Sequence, residues 1–163
     1  MRLAIIGRSE LLYETARLLQ SRGHDIVVII TSKESPEYKK GTQDFYDLAK
    51  QLAIPIYLRG ITDSVTFQIR SLPKIDLGIS VNYPKVISQD FIDIFTLGIL
   101  NAHAGDLPRY RGNACVAWAI INGEDRVGLC IHKMTGGELD SGDIVARDNL
   151  PIDIDTKISR VWS

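Results

Sequence analysis

Apolar positions along the chain come in short unbroken runs separated by stretches of mixed polarity. "RLAIIG" at 2–7, "DIVVIIT" at 25–31, "IPIYL" at 54–58, "IDLGISV" at 75–81 and "LGILNAH" at 97–103 are continuous enough to predict strands buried on both faces. Between them the apolar positions recur at helical spacing. Ser9 is placed to cap a helix whose Leu11, Leu12, Ala16, Leu18 and Leu19 share one face, with Gly23 ending it. Further helices are predicted from about Gln43 to Leu52, from Ser64 to Leu72, and after Ser88, where Phe91, Ile92, Ile94 and Phe95 form the apolar face. "TSKESPEYKKGT", with Pro36 and Gly41, reads as an exposed loop.

Beyond residue 103 the pattern changes. "CVAWAIINGE" predicts a helix stopped near Asn122-Gly123, and "RVGLCIHKM" alternates Val127, Leu129 and Ile131 against its other residues as a strand does. "DIVARDNLPI" predicts one more strand, and "TGGELDSG" joins the two as an antiparallel addition. Strands alternating with helices imply an α/β fold with a mostly parallel central sheet and helices on both faces. No repeat or linker divides residues 1–163, so one domain is expected. The closing "DTKISRVWS" begins a capped helix, and Trp162 suggests an apolar face seeking a partner, either the core or a missing segment.

Composition narrows the function classes. The 163 residues carry a net charge of −1, which gives no global field for nucleic acid or an anionic membrane. No apolar run approaches the roughly 20 residues of a bilayer span. Two cysteines, Cys115 and Cys130, are too few for a disulfide framework, and no signal peptide is evident, so a reduced, cytoplasmic setting is expected. His24, His103 and His132 are scattered without metal-ligand spacing, and no metal is expected. "GRSE" leaves Gly7 alone after the first strand, which excludes the usual dinucleotide fingerprint. Cys115 reads as a buried helix cysteine, more often inert than reactive.

One stretch remains, "NAHAGDLPRYRG" at 101–112. Side chains two apart on a strand share a face, so Asn101 and His103 project together at a strand's carboxyl end, where open α/β sheets bind ligands. An amide N–H beside an imidazole can stabilise an oxygen that becomes negative during reaction. "ELDSGD" supplies Glu138, Asp140 and Asp143 as candidate carboxylates, and Asp140 is the one its neighbours favour holding inward. Spacing alone leaves open whether this histidine is catalytic or simply structural.

"NAHAGDLPRYRGNACVAWAIINGE" followed by "GLCIHKMTGGELDSGDIV" resembles the signature of the folate-dependent formyltransferases. That family includes methionyl-tRNA formyltransferase, glycinamide ribonucleotide transformylase and the sugar N-formyltransferases. Asn101, His103, Leu107-Pro108, Arg111-Gly112, Trp118 and Leu139-Asp140 with Gly142 fall in register with its hallmarks. The resemblance implies a Rossmann-like fold and transfer of a formyl group from 10-formyltetrahydrofolate to a primary amine. It implies that Asn101 and His103 stabilise the oxyanion, while Asp140 orients His103 and helps move a proton. Val81, Asn82, Tyr83, Val86 and Ile87, with Gly137, Leu139 and Asp140, are implied to line the pterin pocket.

The acceptor loop, "GDLPRYRGNAC", is closer to the amino-sugar members than to the methionyl-tRNA form. Gly105, Asp106, Arg109 and Arg111 are therefore expected to bind the acceptor, an amino sugar linked to a nucleotide, with the arginines facing its diphosphate. Methionyl-tRNA is the less favoured acceptor. Hydrolysis of the formyl folate and a non-catalytic folate-binding remnant are the other readings. The resemblance also implies that the usual C-terminal helix and module are missing, and self-association around Trp162 is expected of a remnant.

Overall fold

The computed structural model describes residues 1–153 and 155–161. Seven strands form one sheet in the order β3-β2-β1-β4-β5-β6-β7: β1 (Arg2–Gly7), β2 (Asp25–Ile30), β3 (Ile56–Tyr57), β4 (Leu77–Val81), β5 (Ile99–His103), β6 (Arg126–Lys133) and β7 (Ile144–Pro151). Strands β1 to β5 pair in parallel, and β6 and β7 join antiparallel. The helices are α1 (Glu10–Ser21), α2 (Thr42–Leu52), α3 (Asp63–Arg70), α4 (Gln89–Ile92), α5 (Cys115–Ile121) and α6 (Ile158–Val161). The expected α/β sheet and its antiparallel addition are both present.

Strand alternation divides the core into two layers. Ile5 and Ile29 face α1 and α2, where Leu12, Ala16, Phe45, Leu48 and Ala49 complete a buried cluster. Ala4 and Ile6 face the opposite way and meet Val65 and Ile69 of α3 and Phe91 and Ile92 of α4. A sheet sealed on both faces needs continuous apolar strands, and this is why the first runs read so clearly. A smaller cluster of Val116, Ala119 and Val127 holds α5 to β6.

Several local expectations are corrected. Ser9 precedes α1 but makes no side-chain cap; its φ is 86°, and its Oγ instead accepts the Asn82 amide N–H at 3.4 Å. Of the expected apolar face of α1, Leu12 and Ala16 are buried, whereas Leu11 and Leu18 are exposed. Ser88 likewise makes no side-chain cap, and α4 is a single turn, because Ile94 and Phe95 lie in the turn that follows it. On β6, Leu129 is exposed, while Cys130 and His132 are buried. Val127, on the same side as Leu129, is buried against α5, so both sides of the strand carry buried residues, and His132 and Cys130 lie in register with Asn101 and His103 of β5. Trp162 lies outside the described residues, so the surface expected around it is not seen.

Phe91 anchors the α4 layer. It is fully buried and meets Phe95 edge-on, with ring centroids 5.4 Å apart. Phe91→Ala is expected to lower stability by about 3–5 kcal/mol, through lost burial and the cavity left behind. Urea unfolding followed by circular dichroism measures it, with the slope unchanged and the midpoint lowered.

Candidate functional site

The order of strands reverses between β1 and β4, and the site lies beyond the carboxyl ends of these strands and β5. Asn101 and His103 close β5 and sit in register with His132 and Cys130 of β6. Paired residues on neighbouring strands share a face, so both histidines and the amide are brought to one side of the sheet. Asp140 descends onto this row from the loop between β6 and β7. Its Oδ1 lies 3.3 Å from His132 Nε2, and its Oδ2 lies 3.5 Å from His103 Nδ1. The Gly112 backbone N–H donates to Oδ2 at 2.9 Å, which ties the carboxylate to the end of the 104–112 loop.

Asp140 is held at φ 47°, a left-handed conformation that aspartate tolerates better than most residues. Gly142, two residues on, lies so close to the Lys133 carbonyl that any Cβ would collide with it. The loop carrying Asp140 is thus pressed onto the end of β6 by backbone contact. A second close approach shapes the other wall: a Cβ on Gly105 would lie 2.5 Å from His103 Nε2 and 2.6 Å from the Tyr110 carbonyl. Glycine here lets the loop fold back until Tyr110 O lies 2.6 Å from His103 Nε2.

His132 is almost wholly buried, at 1% exposure, and was noted in the sequence only as a scattered histidine. Its place opposite Asn101 follows from the β5–β6 register. The signal was available only to a reader who paired "LGILNAH" with "RVGLCIHKM" in that alignment. Burial works against its imidazolium. The Asp140 hydrogen bond, the Lys133 carbonyl and the Asp140 charge outweigh that, and its pKa is raised. Burial likewise works against the Asp140 carboxylate, but hydrogen bonds from His132 and Gly112 and the two nearby imidazoles hold its pKa below the ordinary value. The Cys115 thiol, 3.5 Å from His103 Nε2, is pushed up by burial and then by the Asp140 charge, which disfavours a nucleophilic thiolate.

The two segments expected to line a pterin pocket are in contact. The Gly137 N–H donates to the Ile87 carbonyl at 3.2 Å, and the Gly136 N–H donates to Gln89 Oε1 at 2.9 Å. Val86 and Leu139 remain exposed, at 52% and 57%. Val81 and Ile87 are core residues of the two opposite layers. Asn82 (φ 52°) reaches Ser9, and its carbonyl accepts from Arg8 Nε at 3.1 Å. The Tyr83 hydroxyl accepts the Ile61 N–H at 2.8 Å.

The residues expected to meet an acceptor are partly occupied by one another's neighbours. Arg109 is paired with Glu124, which also accepts from the Tyr110 hydroxyl at 2.7 Å. Asp106 is paired with Arg147 at 3.3 Å, and Arg147 also donates to the Leu107 carbonyl. Arg111 is exposed. Among the described residues no group of histidine, cysteine or acidic side chains could hold a metal ion, and no helix is long and apolar enough to cross a membrane.

The raised His132 and lowered Asp140 define a pH window for stability. Asp140 contributes above the ordinary carboxylate pKa, and its contribution is lost as pH falls through its lowered value. His132 contributes below the ordinary imidazole pKa, and that contribution is lost as pH rises through its raised value. Asp140→Asn, which keeps a residue tolerant of positive φ, is expected to cost about 2 kcal/mol between these limits. The difference from the wild type should shrink on both the acid and alkaline sides. Urea titrations across that range measure it; a difference independent of pH would contradict the assignment of the pair.

A family model described as "Formyl transferase" matches residues 1–162. A methionyl-tRNA formyltransferase of Geotalea uraniireducens is 35% identical over 161 residues, which cover 95% of this chain and 50% of that protein. The chain spans about half the length of the curated relatives it matches. Phosphoribosylglycinamide formyltransferase of Bacillus halodurans has a similar fold, with a TM-score of 0.76 and 19% identity over 99% of this chain and 86% of that one. A sugar 3N-formyltransferase solved with dTDP and 5-N-formyl-THF gives a TM-score of 0.70 at 22% identity, covering 94% of this chain and 53% of that one. With the family model spanning nearly every residue and the carboxylate, histidine and amide gathered at the end of β5, this chain belongs to the formyl transferase family.

Proposed function

We propose that the site transfers a formyl group from 10-formyltetrahydrofolate to a primary amine. The observation that carries this reading is the Asp140 carboxylate, bonded between His103 and His132 beside the Asn101 amide. The amine nitrogen forms a bond to the formyl carbon, and the carbonyl oxygen gains the displaced electron pair. Asn101 supplies N–H donors to that oxygen, and a preorganised donor of this kind contributes most where water is excluded. Asp140 and His103 hold the path by which the amine's proton leaves and the folate nitrogen, as its bond to carbon breaks, takes one up. Val86 and Leu139, exposed on the two joined segments, offer apolar walls for a pterin ring.

The acceptor favoured by the "GDLPRYRGNAC" loop is an amino sugar carried on a nucleotide, with Gly105, Asp106, Arg109 and Arg111 nearest to it. The fold shared with the sugar 3N-formyltransferase is compatible with this. A second reading, the amine of methionyl-tRNA, is supported by the Geotalea relative at 35% identity. The pairing of Arg109 with Glu124 also weakens the case for a diphosphate clamp at that position.

Calorimetric titration with 5-formyltetrahydrofolate is expected to show one saturable site. With 10-formyltetrahydrofolate and an accepting amine, Asn101→Ala should lower kcat by about 10²–10³-fold, the usual loss for one oxyanion donor, and leave folate affinity nearly unchanged. Offering amino-sugar nucleotides and methionyl-tRNA in parallel separates the two acceptors. Formate release without an amine would instead indicate hydrolysis. Absence of folate binding by the folded chain would overturn the reading.

A further inference from the structure

His132 is placed to do more than pack behind the site. Its Nδ1 lies 2.9 Å from the Lys133 carbonyl, which can only accept, so Nδ1 carries a proton. In a neutral ring that leaves Nε2 with a bare lone pair. Two groups face it: the Asn101 amide nitrogen at 3.2 Å and Asp140 Oδ1 at 3.3 Å. A bare Nε2 accepts an N–H from Asn101 and meets the carboxylate lone pair against lone pair. A protonated Nε2 does the reverse, donating to Asp140 and opposing the Asn101 N–H groups. One nitrogen cannot satisfy both partners in the same state.

We propose that His132 is a positioning residue whose Nε2 proton sets the facing of the Asn101 amide. With Nε2 bare, one Asn101 N–H is spent on His132. With Nε2 protonated, His132 pairs with Asp140, and the amide turns its oxygen toward the ring and its two N–H donors away from it. The second state frees both N–H donors for an oxyanion where the first leaves one, so this inference rests on the proposed formyl transfer for its consequence, though not for its geometry. The titratable groups facing His132 are Asp140 from the β6–β7 loop and His103 from β5, whose ring centroid is 6.3 Å away. Beyond them Cys115 of α5 touches His103. Ser80 of β4, in register with Asn101, contributes only a hydroxyl. The raised pKa of His132 fits a ring that is charged in the working state.

Nitrogen NMR on the ligand-free chain tests the device directly. Across about pH 5 to 9 the His132 Nε2 signal should titrate while Nδ1 stays protonated. The Asn101 side-chain amide signals should move with the same midpoint. In His132→Gln the Asn101 titration should vanish, and in Asp140→Asn both midpoints should fall together. An Asn101 amide that stays still while His132 titrates overturns the proposal. So does loss of the Nδ1 proton, or a His132 that keeps one state throughout. In turnover with 10-formyltetrahydrofolate, kcat should decline along a one-proton limb as pH rises through the His132 midpoint. His132→Gln should lose that limb while retaining its KM for the folate. A chain that transfers no formyl group would defeat the proposed function, and the NMR outcome would still decide the role of His132.

Discussion

The arrangement depends on keeping one carboxylate charged where little water reaches it. Asp140 is only 11% exposed in its side chain, and an isolated carboxylate in such a place would take up a proton. Two imidazoles and the Gly112 N–H hold it ionised. Each of these partners comes from a different part of the chain: His103 from the last parallel strand, His132 from the first antiparallel one, and Gly112 from the loop between β5 and α5. The charge therefore couples the parallel half of the sheet to its antiparallel extension. Without the antiparallel addition of β6 there would be no second imidazole opposite Asn101.

The backbone around this charge is held in conformations that side chains usually avoid. Ser9, Asn82, Ala114 and Asp140 all have positive φ: Ser9 and Ala114 precede α1 and α5, Asn82 follows the carboxyl end of β4, and Asp140 lies in the β6–β7 loop. Such conformations cost on the order of 1–3 kcal/mol each and persist only where their surroundings determine them. Here the determining contacts are visible. Asn82 is tied to Ser9 and Arg8, and Asp140 is tied to Gly112 and the histidines. The rest of the sheet, sealed between two apolar layers, supplies the stability against which these local costs are set.

The five parallel strands and their helices were legible in the sequence because burial on both faces forces unbroken apolar runs. Where burial is one-sided or polar, legibility failed. On β6 the alternation of Val127, Leu129 and Ile131 marks the strand, yet Leu129 is exposed, while His132 is buried on the opposite side beside Cys130. Ser9 and Ser88 looked like helix caps because the residue type fits, yet tertiary contact diverted the first, and neither side chain makes the bond. Asn101, His103 and Asp140 were named from motif spacing, and the chain does bring them together. His132 was missed because its importance comes from register, which no single segment encodes.

The same reasoning explains why the reaction class is easier to read than the acceptor. Groups gathered at strand ends are fixed by hydrogen-bonded register, so a short spacing such as Asn-x-His has one geometric meaning. The loop from Gly105 to Gly112 has no such ruler. Its cationic and acidic side chains find partners that the linear sequence does not announce: Arg109 turns to Glu124, and Asp106 to Arg147. A charged residue in that loop can be structural or can face a ligand, and composition does not separate the two. Exposed Arg111 and paired Arg109 sit two residues apart in one motif, yet only the former has its guanidinium uncommitted to an ion pair among the described residues. Within one short loop, then, one guanidinium is tied to a carboxylate across α5 and the other is not, and only the folded chain distinguishes them.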